Sequence, residues 1–126
     1  MKTIRKISSL RETLRAWRHA GETVALVPTL GNLHEGHISL VDLARRQADR
    51  IVVSVFVNPT QFGPGEDYQA YPRTLDHDRR RLTRAGAELL FAPAVQEMYP
   101  RVEGAGTVVS VPGLSSILCG EFRPGH

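Results

Sequence analysis

The chain has 126 residues, the length of one domain. With 41% hydrophobic and 23% charged residues it has enough apolar side chain for a core, which excludes wholesale disorder. The formal charge of +3 is spread along the chain; with aromatics at 6% and no reader motif, it suits a small anionic ligand at least as well as nucleic acid.

Residues 1–6, Met1-Lys2-Thr3-Ile4-Arg5-Lys6, have no apolar stretch ahead of their charges, which argues against a secretory signal. Ser9-Leu10-Arg11-Glu12 fits a capping box, so a helix is expected to start there. Leu10, Leu14 and Trp17 follow at helical spacing as its core face, and Gly21 is the expected left-handed cap. Residues 23–27 read as a short buried strand that Pro28 ends. A small-residue loop leads to a second helix from about Gly36, with Leu40, Val41, Ala44 and Ala48 on one face.

Residues 51–57 are apolar and β-branched apart from Ser54, the pattern of a strand covered on both faces. The run is far short of the ~20 residues of a membrane span. Residues 58–73 hold three prolines, two glycines and two tyrosines, a long loop of the kind that carries function. Thr74 is expected to cap a helix carrying Leu75 and Leu82 and ending at Gly86. Its run Arg79-Arg80-Arg81 with Arg84, interspersed with Asp76 and Asp78, reads as a solvated face. Residues 89–92 form the next strand, ended by Pro93; a helical turn covers 94–98, a strand 108–111, and Val111-Pro112-Gly113 a turn. The one cysteine, Cys119, has no partner for an internal disulfide, so a reducing, cytoplasmic setting is the default.

Strands alternating with helices call for a doubly wound, mainly parallel α/β sheet. In such sheets ligands bind outside the carboxyl ends of the strands. The loops 28–37 and 58–65 both leave strand ends, so both belong on that edge. The first reads Pro28-Thr29-Leu30-Gly31-Asn32-Leu33-His34-Glu35-Gly36-His37. Two histidines at a helix N-terminus can donate to phosphate oxygens and stabilise charge that grows during displacement at phosphorus. Gly36 would let a ligand approach the backbone closely. Zinc is a poorer fit, because the histidines are three apart with no third ligand nearby, and no metal site is expected. The nucleotide motifs Gly-x-x-x-x-Gly-Lys-Ser/Thr and Gly-x-Gly-x-x-Gly are absent. Two ordinary polar residues at a helix start remain the plain alternative.

Strand, loop, His-x-Gly-His, helix resembles the nucleotidyltransferase superfamily, a Rossmann-like core. Residues 27–37, Ser54-Val55-Phe56-Val57-Asn58-Pro59-Thr60-Gln61-Phe62, Tyr71-Pro72-Arg73-Thr74, Phe91-Ala92-Pro93, Met98-Tyr99-Pro100, Val111-Pro112-Gly113-Leu114 and Arg123-Pro124-Gly125-His126 resemble, in order, the pantoate–β-alanine ligase family. Leu30 stands where that family usually has methionine, a swap of similar volume. The resemblance implies ATP-dependent condensation of pantoate with β-alanine through pantoyl adenylate, with Mg2+ accompanying ATP. It implies ATP contacts from Leu30, Gly31, Asn32, Leu33, His34, Glu35, Gly36 and His37, with His37 and His34 catalytic. Pro28, Thr29 and Gln61 would meet pantoate or β-alanine, and Asn58 would be structural or support the residues that touch substrate. It also implies a homodimer; no nucleic-acid or membrane partner is expected, from the spread charge, the few aromatics and the short apolar runs. The family enzyme is longer, with later Gly-Glu-Lys and Ser-Ser-Arg segments, so residues 1–126 are expected to be a truncated ATP- and pantoate-binding domain. A cytidylyltransferase-like enzyme and a nucleotide-binding domain without turnover are the rival readings.

Overall fold

Among the described residues four parallel strands form the sheet: β1 (Lys2–Ile4), β2 (Val24–Thr29), β3 (Arg50–Val55) and β4 (Leu89–Phe91), in the order β1-β4-β3-β2. The computed structural model describes residues 1–63, 65–100, 111–115, 117 and 119–122. Ile51, Val52 and Val53 are at most 2% exposed, so β3 is covered on both faces, as its composition demands. One core layer joins Val27, Val53 and Leu90 to Val41 of α2 (Glu35–Arg45) and Leu82 of α3 (Leu75–Ala85). The other joins Ile4, Val52, Leu89 and Phe91 to Leu10, Leu14 and Trp17 of α1 (Ile7–His19).

The topology follows from handedness. From β2 through β3 to β4 the chain steps one way across the sheet, with α2 and α3 on one face. From β1 to β2 it crosses the whole sheet in the opposite sense, so a right-handed crossover puts α1 on the other face. This is the doubly wound arrangement expected.

Several boundaries differ from the sequence expectation, each for a physical reason. Strand β1 is absent from that expectation, because Lys2-Thr3-Ile4 has a single apolar residue, whereas the equally short β4 is wholly apolar. Strand β2 runs through Pro28 to Thr29 instead of stopping before it. The carbonyls of Thr23 and Thr29 accept from Arg50, at the start of β3, and from Phe56, just past its end, so residues of opposite parity, Pro28 among them, turn their nitrogens to the open edge. Helix α1 begins at Ile7, and Ser9 and Glu12 lie inside it; no side chain caps it from Lys6. Glu97, on the short α4 (Val95–Met98), instead accepts the Ile7 N–H at 2.8 Å. Gly21, at φ 79°, ends α1: its own N–H reaches Arg18 and that of Glu22 reaches Trp17, which closes the helix as expected. Leu40 is 49% exposed, and the buried face of α2 is Ile38, Val41 and Ala44. The turn after Val111 is present, with the Leu114 and Ser115 N–H groups on its carbonyl. The expected strand over 108–111 falls mainly on 108–110, and Arg123-Pro124-Gly125-His126 on 123–126, both outside the described residues. Among the described residues no helix is long and apolar enough to cross a membrane.

Candidate functional site

Both loops singled out in the sequence leave the carboxyl edge of the sheet, from the neighbouring strands β2 and β3. At the end of β2 the Thr29 hydroxyl donates to the Ser54 carbonyl at 2.8 Å and accepts from the Gly31 N–H at 3.2 Å, tying the two strand ends together. The chain then turns through two left-handed residues, Gly31 at φ 87° and Asn32 at φ 52°. Gly31 is required twice: a side chain is strained there, and a Cβ would lie 3.0 Å from Val55. Asn32 is a residue type that tolerates the region. Leu33, 4% exposed, returns the chain to the core.

His34 is the N-cap of α2, and His37 lies one turn on. Their rings are 4.1 Å apart between centroids. Nδ1 of His34 accepts the Gly36 N–H at 3.1 Å, and Nδ1 of His37 accepts the His34 N–H at 3.3 Å. The glycine between them has a local cause: a Cβ on Gly36 would sit 2.9 Å from Cε1 of His34. The sequence reading holds that position open for a ligand; the structure fills it with the His34 ring. A ring whose Nδ1 accepts a hydrogen bond carries its proton on Nε2 when neutral. Both imidazoles therefore offer an Nε2–H donor. Partial burial and the neighbouring His34 lower the pKa of His37 below its ordinary 6.5, and Asp78 opposes the shift.

Asp78 is the residue the sequence reading misses. It is fully buried rather than part of a solvated face. Oδ1 accepts the Leu33 N–H at 2.9 Å; Oδ2 accepts the Asn32 N–H and the Thr74 hydroxyl, both at 3.0 Å. A signal is available, since Asp78 shares the helical phase of the buried Leu82 and Ala85. The rest of that run is solvated at Arg79, Arg80 and Arg84, whereas Arg81 pairs with Glu35.

The second loop opens with a single 3-10 turn over Pro59–Gln61. Asn58 caps it: its Oδ1 accepts from the Thr60 N–H at 3.2 Å, the Thr60 hydroxyl at 2.9 Å and the Tyr99 hydroxyl at 3.0 Å. The structural role expected of Asn58 is what the bonds describe. Beyond it the loop builds its own small core, with Phe62 edge-on to Tyr68 and Tyr71 at 5.3 and 5.6 Å. Arg73 donates to the carbonyls of Tyr68, Gln69 and Tyr71 and stacks over the Tyr68 ring.

A cleft of about 270 Å³ opens beside the first loop, lined by Leu30, Gly31, Val55, Phe56, Val57, Thr74 and Asp78 among others. Leu30 and Gly31 are thus brought to it, while His34, His37 and Gln61 stand outside its lining. Gln61 is exposed at the end of the 3-10 turn, and Pro28 is exposed on the open edge of β2. Among the described residues no group of three or more His, Cys, Asp or Glu could hold a metal. Asp78, which holds the loop before His34, and Glu35, between the two histidines, already have partners.

Residues 2–126 match the family described as pantoate-beta-alanine ligase. A pantothenate synthetase of Halorhodospira halophila is 55% identical over all 126 residues, which span 44% of its length. One from Shewanella halifaxensis is 56% identical with the same coverage. The crystal structure of pantothenate synthetase from Thermus thermophilus is similar at a TM-score of 0.88 and 52% identity, over the whole of this chain and 44% of that one. A pantoate-beta-alanine ligase from Francisella tularensis, complexed with beta-gamma ATP and beta-alanine, is similar at a TM-score of 0.88 and 36% identity, over the whole of this chain and 48% of that one. The chain spans less than half the length of the curated relatives it matches.

Proposed function

Because the chain belongs to the pantoate–β-alanine ligase family, we propose that it forms the ATP- and pantoate-binding domain of an enzyme that makes pantothenate. In the first step the pantoate carboxylate attacks the α-phosphorus of ATP, giving pantoyl adenylate and pyrophosphate. In the second the β-alanine amine attacks the activated carbonyl, releasing AMP. Adenylation is needed because a free carboxylate acylates poorly until its oxygen is bonded to a good leaving group. The relative complexed with ATP and β-alanine supports the substrate pair.

The observation that carries this reading is the reciprocal capping of His34 and His37, which leaves two Nε2–H donors at the N-terminus of α2. Donors set in place before the reaction stabilise the charge that develops on phosphate oxygens. The α2 dipole acts in the same sense. Leu30 and Gly31 line the wall beside them, with Asn32, Leu33, Glu35 and Gly36 completing the ATP loop. Pro28, Thr29 and Gln61 take the acid; an amide can donate to its carboxylate or accept from its hydroxyls. The Thr29 hydroxyl is already engaged, so that residue serves pantoate through its place at the strand end. Magnesium accompanies ATP in this reading, screening the polyphosphate charge. A cytoplasmic homodimer belongs to the same reading on family grounds; sedimentation equilibrium checks the second part.

Turnover is tested in a chimera in which residues 1–126 replace the matching segment of a full-length relative. His37→Ala should lower pyrophosphate release by about a hundredfold while folding is retained. Equal rates for mutant and parent would sink the catalytic assignment. Gln61→Ala should raise the KM for pantoate more than that for ATP, and the reverse pattern would refute its place at the acid. A second reading, ATP binding without turnover, follows from the share of the relatives' length that is covered. ATP titration of residues 1–126 beside a three-substrate assay separates the two.

A further inference from the structure

Asp78 is the one charged residue found fully buried among the described residues, and it touches neither histidine by a hydrogen bond. A carboxylate removed from water is tolerated only when donors surround it. Here two of the three come from 45 and 46 residues away, from the backbone of the loop that leads into His34, and the third is the Thr74 hydroxyl. We propose that Asp78 is the positioning residue of the histidine loop, holding the Asn32 and Leu33 N–H groups so that His34 and His37 enter α2 in one geometry. The inference rests on the functional reading above and adds what holds that site in place.

Three features carry it. The held segment is conformationally demanding: Gly31 and Asn32 are both left-handed, and a Cβ on Gly31 would come within 3.3 Å of Oδ2 of Asp78. Such a turn persists only when its surroundings determine it. The carboxylate is itself oriented, because the Thr74 hydroxyl donates to the oxygen that holds Asn32. It also lies in the first turn of α3, where the helix dipole favours negative charge. The same helix grips the histidine segment a second time, since Arg81, three residues on, pairs with Glu35 between the two histidines. Packing alone would not call for a charge here, since an apolar group of like shape can be as stable. What an apolar group cannot do is fix two backbone N–H groups on separate oxygens.

Asp78→Asn tests the proposal, because it keeps the shape and one acceptor oxygen but turns an N–H2 toward a donor. With the chain still folded by circular dichroism, Asn32 or Leu33 should exchange its amide proton about tenfold faster, as expected for losing a bond to a charged acceptor. The imidazole signals should move, and the His37 titration should shift down, since Asp78 supports its charged form against burial and His34. In the chimera kcat for pyrophosphate release should fall by about tenfold or more with the pantoate KM little changed, the mark of misplaced groups. Unmoved amides and imidazoles, or a loss seen only in KM, would overturn the proposal. If Asp78→Asn does not fold, exchange in the parent decides: Asn32 and Leu33 should be slower than Glu35 at the start of α2, and equal rates refute the role. A parent chimera that releases no pyrophosphate defeats the functional reading and leaves the exchange and imidazole measurements to judge Asp78.

Discussion

Two loops leave the same edge of the sheet, and they are held in different ways. The histidine loop is gripped from beneath by a buried carboxylate that takes two of its backbone N–H groups. The Asn58–Gln61 turn is closed by its own Asn58 and by the phenol of Tyr99, at an exposed surface. Hydrogen bonds to a charged acceptor contribute roughly twice as much as neutral ones, and water does not compete inside. The histidine pair is therefore set before any ligand arrives, whereas the Gln61 turn can adjust. Under the proposed function, that division suits a site in which phosphate charge is met by fixed dipoles and a small acid is admitted.

The contrast can be broken by substitution. Asp78→Ala leaves two backbone N–H groups and a hydroxyl without their acceptor and should cost roughly 3 kcal/mol, measured by urea unfolding. A change below ~1 kcal/mol would show that the loop does not depend on its anchor. Gly31→Ala places a Cβ against Val55 at φ 87° and should cost about 1–2 kcal/mol, with chemical shifts moving at Asn32 and Leu33. Tyr99→Phe removes a neutral, exposed bond and should cost under about 1 kcal/mol, while raising the pantoate KM a few-fold in the chimera. A stability loss as large as that of Asp78→Ala would erase the distinction between the loops.

The smallest expected effect is on pH dependence. Burial and His34 lower the His37 pKa, so the folded value lies below the unfolded 6.5. The stability this represents is full above the unfolded value and is lost as pH falls through the lowered folded one. Thermal midpoints of the parent should decline more on acidification through that range than those of His37→Asn. Identical pH profiles for the two proteins would contradict the shift.

Much of this is legible in the chain. The helix stop at Gly21, the strands β2, β3 and β4, and the position of both histidines at a helix start follow from local chemistry. Turn residues, β-branched runs and helical spacing act over a few residues. The misses share a cause. Strand β1, the passage of β2 through Pro28, and the Glu97 contact at the start of α1 depend on residues far away in sequence. Asp78 belongs with them, although its phase with Leu82 and Ala85 is visible: a charge on an apolar stripe reads as solvated until its partners are known.

By itself the sequence determined the alternation of strands and helices, the loops that carry polar groups, and the family. The first two rest on backbone preference and hydrophobic period, which neighbouring residues decide; the family rests on the resemblance of motifs such as His34-Glu35-Gly36-His37 and Asn58-Pro59-Thr60-Gln61-Phe62. Only the tertiary structure decided that β2 stands at an edge, that Gly36 makes room for the His34 ring, and that a carboxylate 45 residues away holds the loop. Burial and hydrogen-bond partnership are properties of position in space. A buried charge in particular has no meaning until its donors are in place.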